Sequence, residues 1–260
     1  MTARRIALRT FNVVALPAAL LAVWWWASAG STSPFFPPLS RILDASSEVW
    51  TVETLREAVA PSLARLAAGV AVASVAGIAL GVLIGRRRRV DHALAPVLEF
   101  FRAVPPPVLV PALIVLIGIG DSMRVTLIAL GCLWPVLLNT ADGVRSIDAV
   151  ALDTARSLRL TALGNLRHVI LPAASPRIAA GMYQALGIGV VLMVISEMFA
   201  ASTGIGATVV RFQQSFATTK MWSGVLMLGL IGILLSVAFR AVERRLLHWY
   251  EASRAAERSR

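Results

Sequence analysis

One cysteine, three histidines and a single lysine leave this chain without the raw material of several common chemistries. The lone Cys132 cannot close an intrachain disulfide or build a zinc cluster, and inside an apolar run it reads as a small core residue. His92, His168 and His248 share no apolar run, so neither a metal site nor a clustered general base is expected, which weighs against an intramembrane enzyme. Lys220 follows Thr219 where a phosphate-binding loop would need glycine, so the G-x-x-x-x-G-K-[ST] motif is missing. Long polar stretches are missing too: none exceeds about 40 residues, which leaves no room for a soluble catalytic domain.

What remains is apolar. Hydrophobic residues make up 57% of the 260, against roughly 45–50% in soluble domains, and mean hydropathy is +0.75. A membrane helix needs ~20 mainly apolar residues. Six charge-free runs approach that length: residues 11–29, 66–85, 103–120, 125–141, 178–196 and 221–239. The expected fold class is therefore all-α, a polytopic membrane protein of six transmembrane helices forming one domain over residues 1–260. The third run carries Pro105, Pro106, Pro107 and Pro111, which predicts a kinked end packed within the bundle. Gly69, Gly77, Gly81 and Gly85 in the second run and Gly181, Gly187 and Gly189 in the fifth suit close helix approach, or the lining of a passage.

The net charge of +11 does not indicate nucleic acid, because its clusters lie between apolar runs and lack interleaved aromatic platforms. It reads as a topology signal. Eighteen of the 25 basic residues fall in alternate connections: before the first run, in Arg86 to Arg89, in the central loop and after the sixth run. Both termini and the central loop are thus expected on the cytoplasmic side of the membrane, with Arg86 to Arg89 facing anionic lipid. The basic start, apolar run and Ala27-Ser28-Ala29 also resemble a cleavable signal peptide. Trp24, Trp25 and Trp26 favour a retained span with an interfacial aromatic belt.

The longest polar interruption, residues 142–177, separates the fourth and fifth runs. Within it Ile147, Val150, Ala151, Ala155 and Leu158 recur at helical spacing, which predicts an amphipathic helix of about three turns capped by Ser146 or Asp148. Thr161 can cap a second short helix, and Pro172 with Pro176 predicts a break before the fifth run. The loop has an apolar face that either the bundle or a partner must cover.

The stretch DTARSLRLTALGNLRHVILPAASPRIAAG resembles the E-A-A loop of ABC importer permeases, the inner-membrane components of binding-protein-dependent transport systems. Asp153, Thr154 and Ala155 stand at the E-A-A positions, Arg159 at the following glycine position, and Ile170, Leu171 and Pro172 at the closing I/V-L-P. FFRAVPPPVLVPALIVLIGIGDS, LLNTADGVRSID, SEMFAASTGIG and ERRLLHWYE are similar to the nitrate, sulfonate and taurine branch, so the resemblance covers roughly residues 60 to 250. It implies a type I importer permease with cytoplasmic coupling helices, in which Asp153, Thr154, Ala155, Arg156, Ser157, Leu158, Arg159, Leu171 and Pro172 transmit force from a separate ABC ATPase subunit. It also implies a homodimer, a periplasmic or lipid-anchored substrate-binding protein, and a small polar solute such as a sulfonate, taurine or nitrate. ATP and Mg would be held by the partner, with no cofactor or metal on this chain and no catalytic residue. Two positions depart from the pattern: aspartate for glutamate at Asp153, and Arg159 where a left-handed turn favours glycine.

For the translocation pathway the intramembrane polar residues are few: Asn139, Gln184, Ser196 and Glu197, with Met193 as a flexible neighbour. Glu197 is a functional candidate as a membrane carboxylate, or an interfacial charge paired with Arg124 or Arg211. An ion-coupled secondary transporter is the alternative reading. It would call for ionisable groups at midplane or symmetric broken helices, and neither is evident.

Overall fold

Prolines, glycines and a few buried polar residues decide where this chain bends and where its helices touch. The computed structural model describes residues 3–200 and 202–250, with the side chains of residues 3–14, 88, 92 and 200 outside that description. Its elements are α1 (Ala3–Ser28), α2 (Leu39–Val49), α3 (Val52–Arg86), α4 (Arg88–Ala103), α5 (Pro106–Ile117), α6 (Asp121–Arg145), α7 (Ala149–Ser157), α8 (Ala162–Phe199), α9 (Ile205–Gln214) and α10 (Thr218–Leu246). No strand occurs among the described residues.

Four of these helices, α3, α6, α8 and α10, are long and apolar enough to cross a membrane, and each contains one predicted run. The third predicted run is not a single helix. Ala93–Ala103 and Pro106–Ile117 meet at 81°, giving a broken span or a re-entrant loop. Three consecutive prolines explain the sharpness: Val104 (φ −76°, ψ 116°) and Pro105 (φ −62°, ψ 123°) are held extended, because each precedes a proline ring that excludes the helical region. Counting that pair as one span gives five. In α1 the apolar stretch with described side chains is Ala15–Ser28, and residues 11–14 of the predicted first run lie outside that description.

The expected break at Pro172 and Pro176 is absent; α8 runs through both. Its first turns widen instead, with the Leu171 N–H bonding to the Leu166 carbonyl five residues back. The same device opens α3, where the Ala60 N–H reaches the Leu55 carbonyl. In each helix the donor stands immediately before a proline, Pro61 or Pro172. A π turn there relieves the clash between the ring and the carbonyl four residues earlier, so the helix bends without ending.

The core is the triple contact of α3, α6 and α8, where Leu66, Ala73, Ile128, Cys132, Ala185 and Met193 are buried together. Along α3, glycine repeatedly meets α6. A Cβ on Gly69 would lie 2.5 Å from Ile128 Cγ2, on Gly77 2.9 Å from Val136 Cβ, on Gly81 2.6 Å from Thr140 Cβ, and on Gly85 2.8 Å from the Ala141 carbonyl. Gly181 on α8 approaches the Pro135 carbonyl in the same way, while nothing lies near Gly187. The two readings of the glycines are thereby separated: those of α3 and Gly181 bring helices together, and Gly187 leaves a surface open.

α10 packs more loosely, with most of its apolar surface outward. Its start is tied to the chain's beginning: Trp222 donates Nε1–H to the Phe35 carbonyl at 3.1 Å and packs edge-on against Trp24 and Phe36. Ser28, wholly buried, accepts the Leu39 N–H at 3.1 Å and so turns the SPFFPP bend onto α2.

Candidate functional site

The central loop folds as two capped helical segments joined by a tight turn, a unit called the lever below. Asp148 Oδ1 accepts the Val150 N–H at 3.1 Å and starts α7. Thr161 Oγ1 accepts the Gly164 N–H at 3.1 Å and starts α8, so the second predicted helix is the first turn of a long one. Between them the chain turns through Arg159 at φ +51°. The Leu160 N–H bonds to the Ala155 carbonyl at 3.1 Å and the Arg159 N–H to the Arg156 carbonyl at 2.9 Å, the paired bonds of a Schellman end. Arg159 therefore adopts the left-handed conformation that glycine would take at lower cost.

α7 presents two faces. Ala155 is buried, and Leu152 faces a hollow of about 720 Å³ together with Arg86, Asp91, Arg145 and Arg156. Behind the hollow, Ile147, Leu166, Ile170 and Leu171 pack on Val82 of α3 and Val144 of α6. Arg145 pairs with Asp91 at 2.5 Å and fastens α6 to α4. The outer face carries Val150 and Leu158, both more than two-thirds exposed, with Asp153 and Arg156 paired at 2.7 Å in solvent. Thr154, Ser157, Arg159 and nearby Leu163 are exposed as well. The predicted apolar set is thus divided: Ile147 and Ala155 face the bundle, while Val150, Ala151 and Leu158 face outward. Leu152 was missed, although it stands three residues before Ala155 on the same helical face.

The five pathway candidates do not form one group. Asn139 and Gln184 meet, the amide of Asn139 donating to Gln184 Oε1 at 3.3 Å. Gln184, Gly187, Ile188 and Val191 expose one face of α8. Met193 and Ser196 are fully buried, the Ser196 hydroxyl donating to the Met193 carbonyl at 2.8 Å. Apolar neighbours from α3 and α6 enclose Met193, so these two belong to the core of the single chain.

Glu197 is buried too, at 1% exposure, and its partner is neither Arg124 nor Arg211 but Arg65. Arg65 Nη1 donates to Glu197 Oε1 at 2.9 Å, and the Ser62 hydroxyl donates to the same oxygen at 2.7 Å. Oε2 accepts the Gly206 N–H at 3.0 Å. Arg65 also holds Asp121 through Nε at 2.8 Å, the Thr203 carbonyl at 3.1 Å and the Thr203 hydroxyl at 3.0 Å. Asp121 in turn binds Arg124 at 2.7 Å. Gly204, at φ +124°, lies where any side chain would strike the Glu197 carboxylate. This lock closes the end of the bundle opposite the lever and joins α3, α6, α8 and the start of α9. Charge counting leaves Arg65 among the seven basic residues outside the alternate connections. Its signal was a lone cation at the edge of one apolar run and a lone carboxylate at the end of another, each needing a buried partner.

Apolar helices long enough to span a bilayer, joined by a polar lock at one end and a capped loop at the other, define a multi-pass membrane protein. The chain belongs to the family described as the binding-protein-dependent transport system inner membrane component, which it matches over residues 74–248. It is 33% identical over 240 residues to the taurine transport system permease protein TauC of Escherichia coli, covering 90% of this chain and 87% of that protein. The nitrate import permease protein NrtB of Leptolyngbya laminosa is 32% identical over 189 residues, 73% of this chain and 68% of the relative. In fold, the chain superposes with a TM-score of 0.63 on a chain of the MetNI methionine ABC transporter in an inward-facing conformation, at 19% identity and covering 75% and 96% of the two chains. An ABC importer permease subunit is therefore what this chain is.

Proposed function

We propose that this permease works as a homodimer with two ABC ATPase subunits and a substrate-binding protein, importing a small anionic or zwitterionic solute such as a sulfonate, taurine or nitrate. The outer face of α7 carries the proposal. Its exposed Val150, Leu158 and Asp153–Arg156 pair offer a partner a firm grip, while Ala155 within the helix and Ile147 just before it root the segment in the bundle. Asp153, Thr154, Ala155, Arg156, Ser157, Leu158 and Arg159 form the lever, and Leu171 and Pro172 join it to α8.

The passage is assigned to the open face of Asn139, Gln184 and Gly187. One chain supplies only one wall, which supports a second copy opposite. Neutral amides donate and accept hydrogen bonds, and the one nearby membrane carboxylate, Glu197, is neutralised within the lock, so an anion meets no repulsion there. At the lock end, a hollow of about 780 Å³ lined by Glu48, Glu57, Thr203, Arg211 and Lys220 offers mixed charge to a binding protein. The topology has six spans, counting α1, with both termini and the lever cytoplasmic.

Exchanging the lever's charges tests this. The double variant Asp153→Arg with Arg156→Asp keeps the exposed pair but inverts the pattern a partner meets. Substrate-stimulated ATP hydrolysis of the reconstituted transporter should fall about tenfold, the equivalent of ~1.4 kcal/mol of lost contact. Full stimulation, with the ATPase still copurifying, would refute the lever assignment.

A further inference from the structure

We propose that the groove between the first turns of α8 and the last turns of α10 is a binding site for one phospholipid with a primary-amine headgroup, of the phosphatidylethanolamine type. The groove measures about 410 Å³, and its walls are apolar, with Leu171, Ala179 and Met182 on one side and Phe239, Leu246 and Trp249 on the other. Val242 and Leu246 remain more than half exposed along it. Its lining includes one cation and one anion, Arg167 and Glu243. Neither side chain has a hydrogen-bond or ion-pair partner among the described residues, and they are not paired with each other.

The depth of the groove argues for lipid. It lies where the apolar helix α10 ends, beside Trp249 and Tyr250, whose rings pack edge-on 5.9 Å apart, and aromatics of this kind mark the headgroup level of a bilayer. A second copy pressed into the groove would bury both unpaired charges at a cost.

The headgroup follows from the charges. An acyl chain gains little by leaving one hydrocarbon surface for another, so selection falls on the polar end. Arg167 can take the phosphate, and Glu243 can accept hydrogen bonds from an ammonium. A choline headgroup has no N–H to give, and a glycerol headgroup has no positive charge. Leu171 lies in both the groove wall and the lever's junction with α8, so an occupied groove would brace the element that moves.

Native mass spectrometry of the purified full-length chain, offered phosphatidylethanolamine, phosphatidylglycerol and phosphatidylcholine in equal amounts, tests the site without any ATPase. The expected result is one tightly retained lipid per chain, with the ethanolamine form preferred severalfold. Arg167→Gln with Glu243→Gln should abolish the preference, and Ala179→Trp, which fills the groove, should abolish retention. Equal retention of the three lipids, a preference for glycerol or choline headgroups, or retention unchanged in both variants would overturn the proposal. Because no transport is measured, failure here leaves the lever assignment standing, and failure of the lever leaves this site standing.

Discussion

At the scale of single residues, the chain departs most from local preference at Arg159. A side chain in the left-handed region costs ~1–2 kcal/mol relative to glycine, and Phe216, at φ +55°, closes α9 with the same pair of bonds. Arg159→Gly should therefore stabilise the lever by about 1 kcal/mol, visible as slower amide hydrogen exchange at Leu160 and Gly164. Unchanged exchange would mean that the guanidinium contributes as much as the strain removes. The lock makes the opposite case. Glu197 and Arg65 are both buried, and removing one partner of a buried pair costs ~3–5 kcal/mol where the other charge is left alone; Asp121 still holds Arg65 through Nε, so the loss here falls below that range. Glu197→Ala should lower the thermal midpoint by several degrees and reduce the detergent-stable yield. Glu197→Gln, which keeps the shape and an acceptor for Ser62, should lose less.

At the scale of elements, α3 and α6 are specified by what α3 lacks. Gly69, Gly77, Gly81 and Gly85 form a smooth stripe, and the ridge of Ile128, Val136, Thr140 and Val144 lies in it. Gly81→Leu has no room, because even a Cβ would crowd Thr140 and the Leu137 carbonyl, so it should destabilise by ~1–3 kcal/mol or more. Gly187→Leu meets nothing and should leave the thermal midpoint within a degree or two; comparable losses for both would contradict the packing. Much of this was legible in the sequence. Apolar length placed α3, α6, α8 and α10, and capping chemistry placed both lever helices, because Asp148 and Thr161 act through bonds two and three residues away. What escaped depends on distant partners. Nothing local says that Arg65 reaches Glu197, 132 positions away, or that π turns before Pro61 and Pro172 let helices continue where proline normally ends them.

At the scale of the whole molecule, lever and lock stand at opposite ends of the same three helices, so under the proposed coupling a movement of the lever would reach the lock through those helices. That geometry carries transport only if the two ends face opposite sides of the membrane. Cys132 is fully buried and serves as a silent background for thiol labelling. Ser33, in the bend after α1, and Ser157, on the lever, are both exposed. With the chain expressed without its partners, Ser33→Cys should react with a membrane-impermeant maleimide in intact cells. Ser157→Cys should react only after the membrane is opened. Labelling of both from one side would place lever and lock on a common face, and would refute the charge-based topology together with the force path built on it.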